Sequence, residues 1–373
     1  VRLPPAQALS LSPGSPAVLS GAAEAEFAAK RFDEAEELAQ LSLAKAPFSV
    51  RALRVLGLTV AEKGQRASAD DIITLAGNWS LRDDPSHVWL INYRLSRGDY
   101  SSAFSHADTL ARRRADLYPD LFRLFSTAAT LDPRAIPPLT RLLAASPPWR
   151  KDFFAALMQT DEDLALAANL AIALPRTGKG AFTTLEIGRL YDGLMRKGQI
   201  AAMAEVRRRL GQPAPELALV NGEFNRLSQP APYEWRLFAG PGMTAEILTD
   251  AFHPGDSALQ VRYNGFGSRT FAEQFLQLAP GRYSLTGNQR TETLKVSGGV
   301  SWTIACYESR QIIAETRRET TSNRTDWQRF SVQFTVPPQG CSAQWIRLVP
   351  HIEDRRETIV TWYDKLSIVP GPE

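Results

Sequence analysis

Trp345 and Arg347 are the side chains whose types and spacing best suit ligand binding. They lie in the predicted strand 342–349, where alternation places them on one face and Ile346 and Leu348 on the other. If the aliphatic pair is core, the ring and the guanidinium project outward together, as a flat face beside fixed hydrogen-bond donors. The alternative is that Trp345 fills a second apolar layer against the helices predicted earlier in the chain. The sequence leaves both interpretations open.

The only two cysteines, Cys306 and Cys341, lie 35 residues apart, each beside a strand pattern that carries a tryptophan. Their placement in one predicted domain favours a disulfide over two free thiols. Such a cross-link would stabilise the fold by about 3 to 4 kcal/mol in the chain-entropy model. A disulfide is also typical of an oxidising compartment. We therefore predict a β domain that is cross-linked by a disulfide between Cys306 and Cys341.

Residues suited to catalysis are sparse. The sequence has no His-Glu-x-x-His or Gly-x-Ser-x-Gly motif, and its four histidines are scattered through both halves. Glu273 and Glu308 could face one another as a glycosidase pair, but a sandwich with many exposed charges offers such pairs by coincidence. The basic triplets 112–114 and 207–209 lack interleaved aromatic residues, which favours solvated helix faces. We predict no enzyme activity and no nucleic-acid partner.

The composition is that of an ordinary globular protein. Over 373 residues, 43 Lys and Arg oppose 40 Asp and Glu, and 44% of the residues are hydrophobic, so charge points to no partner. The length allows two or more domains with separate cores. No apolar run approaches the roughly 18 residues that span a membrane. The chain begins at Val1 rather than Met, which leaves room for a removed signal or membrane anchor upstream.

A 34-residue period organises the first part of the chain. Ala35, Ala69 and Ala103 recur at this spacing. The turn residues five positions earlier are Lys30, Gly64 and Gly98. The period resembles the tetratricopeptide repeat, in which pairs of antiparallel helices approach closely at small residues. The resemblance covers about residues 18–116, and helical patterns continue to residue 210. We predict about twelve helices in one α-solenoid, with 1–16 as a leader or linker and 17–212 as the repeat domain.

The sequence pattern changes from helical to strand-like at residues 211–219. Short alternating apolar runs begin there, separated by turns such as Pro280-Gly281. Several later pieces resemble galactose-binding-like jelly-roll carbohydrate-binding modules, and they occur in the same order. They are the opening strand at 219–225, the Pro-Gly hairpin at 273–285, the later strands at 327–330 and 334–337, and the closing strand at 362–368. We predict an antiparallel β-sandwich jelly roll over 216–373.

The resemblance implies a carbohydrate site on the concave sheet, where rings stack on sugars and polar groups bond to hydroxyls. The candidate residues are Trp345, Arg347, Trp235, Arg290 and Trp302. For Trp302, the face that it shares with Ile304 favours a core position instead. The family often carries a structural calcium, for which Asn225 and Asp364 are the positions to inspect. Because Asn225 stands where an acidic residue is usual, we expect no tight calcium and no other cofactor.

Together these features predict a non-enzymatic scaffold of the bacterial cell envelope, periplasmic or anchored by a removed N-terminal segment. The helical repeats would bind a protein and the jelly roll a polysaccharide, a pairing that resembles accessory proteins of surface-polysaccharide synthesis or export. Two alternatives stay open: a protein-only adaptor whose jelly roll has no ligand, and a glycoside hydrolase or lyase. An exposed aromatic residue beside polar groups would favour the sugar, whereas a sheet buried against helices would favour the adaptor.

Overall fold

The computed structural model describes residues 4–212, 219–225, 227, 230–249, 256–265, 269–292, 299–317, 326–351 and 358–371. The chain divides into two compact units, Val1–Ala181 and Phe182–Glu373. The predicted fold class is confirmed, since paired helices occupy the first half and two antiparallel sheets follow. Within the described ranges, no helix is both long enough and apolar enough to cross a membrane.

Unit 1 is entirely helical in the residues described. Its α-helices are α1 (Pro5–Leu11), α2 (Pro16–Ala28), α3 (Phe32–Lys45), α4 (Val50–Glu62), α5 (Arg66–Trp79), α6 (Asp84–Ser96), α7 (Tyr100–Ala111), α8 (Tyr118–Leu131), α9 (Ile136–Ala144), α10 (Arg150–Leu157) and α11 (Asp161–Ala173). Short 3-10 helices at Ala115–Leu117 and Pro133–Ala135 precede α8 and α9. Helix α1 lies within residues 1–16, where a leader or linker was expected.

The 34-residue period corresponds to the helix pairs α2–α3, α4–α5 and α6–α7. Ala35, Ala69 and Ala103 each lie in the second helix of a pair and are fully buried. The turn residues have positive φ angles of 61° at Lys30, 87° at Gly64 and 72° at Gly98. That left-handed conformation ends a helix and turns the chain. The same spacing therefore sets both the close helix contact and the turn.

Unit 2 begins with α12 (Thr184–Arg196) and α13 (Ile200–Arg209), and strands follow. The strands are β1 (Arg236–Leu237), β2 (Met243–Thr249), β3 (Ser257–Tyr263), β4 (Ala272–Leu276), β5 (Gly281–Thr291), β6 (Gly299–Cys306), β7 (Ile312–Glu315), β8 (Gln328–Val336), β9 (Gln344–His351) and β10 (Ile359–Pro370). Sheet A has the order β1-β4-β9-β6-β7, and sheet B has the order β2-β3-β10-β5-β8. Alternate side chains from both sheets form one buried core.

The predicted repeat domain, 17–212, includes α12 and α13, whereas in the structure these two helices belong to unit 2. Contacts group these two helices with the strands of unit 2, and Tyr191 of α12 and Arg207 of α13 both pack on Tyr233. The change from helix to strand falls between Arg209 and Arg236, a range that includes the change of sequence pattern at 211–219. An amphipathic pattern predicts a helix but does not tell which surface the helix covers.

Candidate functional site

Trp345 and Arg347 lie on β9 and project from the outer face of sheet A. Ile346 and Leu348 alternate with them and are fully buried in the core between the sheets. The period of two along a strand accounts for this division. The structure therefore brings the tryptophan ring and the guanidinium to the same side of β9, as the alternation indicates.

The ring of Trp345 is largely covered. Only 7% of the residue is exposed, and Phe275, opposite it on β4, packs edge-on with ring centroids 5.1 Å apart. The guanidinium carbon of Arg347 lies 4.9 Å from the indole centroid, within the range of a cation–π contact. Of the two interpretations that the sequence left open, the exposed stacking platform is therefore wrong: the Trp345 ring is packed against Phe275 and supports Arg347.

Arg347 is held in place by a carboxylate as well as by the indole. Its Nε donates a hydrogen bond of 3.0 Å to Oε2 of Glu273, the residue opposite it on β4. Glu273 also lies 3.8 Å from Nη1 of Arg236 on β1. The side chain of Arg347 keeps 37% of its surface exposed. One edge of the guanidinium is thus held by Glu273, and the other edge is accessible to a ligand.

Arg347 and Trp345 line a cavity of about 590 Å³ beside the end of β6. The other lining residues are Ala305, Cys306, Tyr307, Glu308 and Arg310. The predicted disulfide is confirmed: Cys306 is bonded to Cys341, with Cα atoms 4.8 Å apart. This cross-link ties the end of β6 to the segment that leads into β9. It therefore fixes two walls of the cavity relative to each other.

The turn after β6 supplies the polar residues that sequence reasoning missed or used otherwise. Arg310 had no predicted role, and Glu308 was considered only as half of a carboxylate pair. The backbone N–H of Arg310 donates to the carbonyl of Cys306 at 3.0 Å, and the Glu308 carboxylate accepts a hydrogen bond from the Ser342 hydroxyl. The sequence signal that could have identified Glu308 and Arg310 is their position, because both follow Cys306 within four residues.

Helices α12 and α13 cover another part of the same face. The Tyr307 hydroxyl donates to the Met195 carbonyl at 2.7 Å. Tyr191 meets Tyr233 edge-on at 5.3 Å, and the guanidinium carbon of Arg207 lies 3.9 Å from the Tyr233 centroid. Burial raises the pKa of both tyrosines above the usual range and lowers that of Arg207. These groups pack a helix onto the sheet and are not open to a ligand.

Trp235 and Trp302 occupy the core of the sandwich. Both are almost fully buried, and their ring centroids lie 5.4 Å apart. Trp235 donates from Nε1 to the carbonyl of Asn221 at 2.9 Å. A ring enclosed on both faces cannot stack on a sugar. The two tryptophans therefore pack the core, which is where Trp302 was favoured to lie.

Arg290 belongs to β5 in sheet B, away from the β9 pair. Its guanidinium carbon lies 5.3 Å from the Trp327 centroid and 5.1 Å from that of Trp362. Its Nη2 lies 3.8 Å from a carboxylate oxygen of Glu292. The structure thus places Arg290 between two indoles on a different sheet from Arg347.

Asn225 and Asp364 share no hydrogen bond. The Asn225 backbone N–H donates to the Asn221 side-chain oxygen at 2.8 Å, and the Asp364 carboxylate accepts from the Lys365 N–H at 2.7 Å. Burial raises the pKa of Asp364. In the portion of the chain that the structure describes, no cluster of three or more His, Cys, Asp or Glu residues could hold a metal ion.

The comparisons with known proteins cover parts of the chain. Residues 6–57 match the tetratricopeptide repeat family model. No curated protein matches the chain.

The similarity to solved structures covers about two fifths of the chain. The CBM22-1 xylan-binding domain from Paenibacillus barcinonensis Xyn10C is 11% identical, with a TM-score of 0.30, over 40% of this chain and 91% of that one. A family 16 carbohydrate-binding module is 18% identical, with a TM-score of 0.30, over 41% and 99%. TmCBM61, solved with β-1,4-galactotriose, is 14% identical, with a TM-score of 0.29, over 42% and 99%.

Proposed function

We propose that this chain is a non-enzymatic adaptor of the bacterial cell envelope that acts in the synthesis or export of a surface polysaccharide. Its helical repeats bind a protein, and the outer face of sheet A binds the polysaccharide. The cavity beside Arg347 is the observation that carries the proposal.

The size and lining of that cavity suit one sugar unit and its neighbours. Its volume of about 590 Å³ falls in the range of about 300 to 1,000 Å³ typical of small-ligand sites. Arg347 and Arg310 supply hydrogen-bond donors, and Glu308 supplies an acceptor. Ala305 and the indole edge of Trp345 supply the apolar surface that the carbon skeleton of a sugar needs.

The helical repeats carry an exposed apolar cluster that suits a protein partner. Phe48, in the turn between α3 and α4, contacts Trp79 at the end of α5 with ring centroids 5.1 Å apart. Both rings are exposed, as is Leu81 in the next turn. Contiguous exposed apolar side chains of this kind mark interaction surfaces.

The disulfide supports the placement in the envelope. Disulfides persist in the periplasm and at cell surfaces, whereas cytosolic thiols are kept reduced. Cys306 and Cys341 are both buried, and the bond between them ties together the strands that line the cavity.

A protein-only adaptor is the second candidate, and two observations favour it: the Trp345 ring is covered, and a helix packs on sheet A. Helix α12 covers part of sheet A through the Tyr307–Met195 hydrogen bond and the ion pair between Asp192 and Arg236. A helix packed on the sheet takes area that a polysaccharide chain would need. Under this alternative the cavity binds no sugar.

Binding of the full chain to a glycan array separates these candidates. We expect wild type to bind a defined subset of polysaccharides and Arg347→Met to lose that binding. Arg329→Met is the matched control, because Arg329 is exposed on β8 in sheet B. Absence of binding to every glycan would favour the protein-only adaptor. Release of new reducing ends from a bound glycan would instead identify an enzyme.

A further inference from the structure

The charges that line the cavity are unequal. Two guanidinium groups, those of Arg347 and Arg310, face one carboxylate, that of Glu308. The Glu308 carboxylate already accepts a hydrogen bond from the Ser342 hydroxyl. Guanidinium groups donate hydrogen bonds and accept none. Donors therefore outnumber acceptors in the cavity lining, and the charge of Arg347 is countered from outside the lining by Glu273.

Arg347 is oriented before any ligand arrives. Its Nε is bonded to Glu273 and its plane lies near the Trp345 ring, so the guanidinium has little freedom left to lose on binding. In the described part of the chain, no residue accepts a hydrogen bond from its two Nη atoms. These paired N–H groups are the fork that binds a carboxylate through two parallel hydrogen bonds.

Arg310 is the second donor, and its backbone is fixed. Its φ of 58° lies in the left-handed region, which a residue with a β-carbon enters at a cost. The hydrogen bond from its N–H to the Cys306 carbonyl holds it there. The side chain is exposed and forms no ion pair within the described ranges. A cation at the cavity wall thus has no ion-pair partner in the described residues, although the Glu308 carboxylate lines the same cavity.

We propose that this cavity binds the carboxylate of a hexuronate unit, so that the polysaccharide is acidic. The inference rests on the proposed function and adds its substrate class. A neutral sugar offers hydroxyls, which need acceptors as well as donors, and Glu308 is the one charged acceptor in the lining. A uronate offers two acceptor oxygens with a negative charge, which matches the two guanidinium groups. The two Nη atoms of Arg347 donate hydrogen bonds to the carboxylate, and Arg310 adds a second positive charge.

Titration calorimetry of the full chain tests this with pairs of ligands, one with a charged carboxylate and one with that carboxylate methylated. The probes are oligomers of galacturonate, mannuronate and guluronate, each compared with its methyl ester. At least one acid should bind about tenfold or more tightly than its ester, because hydrogen bonds to charged groups are the stronger ones. Sodium chloride should weaken binding of the acid and leave the ester little changed. Arg310→Gln, at an exposed side chain, should weaken binding of the acid and leave the ester unchanged, and Arg329→Met should change neither.

The outcomes separate this inference from the function on which it rests. Equal affinity for acid and ester, or binding of neutral glycans alone, overturns the acidic substrate class and leaves polysaccharide binding in place. Failure of all three acids to bind also overturns the inference, and if the glycan array is blank as well, the proposed function falls with it.

Discussion

The guanidinium carbon of Arg347 lies 4.9 Å from the centre of the Trp345 indole ring. The tryptophan is covered, and the arginine keeps more than a third of its side chain exposed. In the candidate site, therefore, Trp345 positions the residue that meets the ligand and does not meet it with its own ring face. This division of roles changes what substitutions of the two residues should do.

Trp345→Ala should destabilise unit 2 as well as weaken glycan binding. Removing a buried tryptophan typically costs about 3 to 5 kcal/mol, and here the edge contact with Phe275 is lost as well. An outward, exposed ring, which is one of the two interpretations that the sequence left open, would instead leave the melting temperature unchanged. Arg310→Gln is the control, since substitution of an exposed side chain usually changes stability by no more than about 0.5 kcal/mol. If Trp345→Ala unfolds together with wild type in a urea titration, the ring is not packed as described.

Removing the disulfide should destabilise unit 2 and disturb the cavity. Thiol titration of denatured, unreduced protein should find no free thiol. The double variant Cys306→Ala with Cys341→Ala should lose about 3 to 4 kcal/mol of unfolding free energy. It should also bind glycan more weakly, because the turn that carries Glu308 and Arg310 begins directly after Cys306. Two titratable thiols in the oxidised protein would contradict the cross-link.

Ala69→Leu should destabilise the helical repeats. Ala69 is fully buried where α5 packs beside Leu90 of α6, and overpacking of this kind typically costs about 1 to 3 kcal/mol. Ala67→Leu makes the same substitution two residues earlier, at an exposed position, and should be nearly neutral. Thermal unfolding followed by circular dichroism compares them. Equal melting temperatures would mean that the 34-residue frame is assigned to the wrong face.

Acid should weaken unit 1 through a buried histidine pair. Nδ1 of His87 lies 2.9 Å from Nδ1 of His106, and Nε2 of His106 lies 3.2 Å from Nη1 of Arg94. Because Arg94 is always a donor, Nε2 of His106 accepts and its Nδ1–H donates to His87. Burial, then the charge of Arg94, lowers the pKa of His106 from 6.5 to about 4, and burial also lowers the pKa of His87.

The sign of the pH effect follows from these lowered values. Between pH 6.5 and about 4 the unfolded chain binds protons at these histidines that the folded chain does not. The free energy of unfolding should therefore fall as the pH drops through this window. Urea unfolding at pH 7 and pH 5 measures it, and His106→Gln should reduce the difference between the two. An equal difference in wild type and variant would exclude the pair as the cause.

Much of the fold was predictable because it depends on local periodicity. The 34-residue spacing of Ala35, Ala69 and Ala103 predicts the helix pairs, since small residues are needed wherever paired helices touch. Alternation along β9 separates Ile346 from Trp345. The first is a repeat along the chain and the second an alternation within one strand, and the sequence contains both directly.

The parts that were not predictable depend on contacts between distant segments. Helix α12 covers sheet A through Tyr233 and Tyr307, and nothing in its amphipathic pattern names that partner. Burial of Trp345 by Phe275 depends on the pairing of β4 with β9. Arg310 joins the cavity because β6 pairs with β9 as far as Cys306 and Gln344, and the turn that follows Cys306 carries Arg310. Tertiary contacts of this kind decide which predicted faces stay open.

Hydrogen–deuterium exchange of the full chain, with and without the glycan bound most tightly on the array, tests the central claim most directly. Polysaccharide binding at the cavity predicts slower exchange in residues 305–311 and 343–348 and little change in β5, β8 and β10. Protection confined to the face that holds Arg290, or to helices of unit 1, would contradict it, as would the absence of any bound glycan.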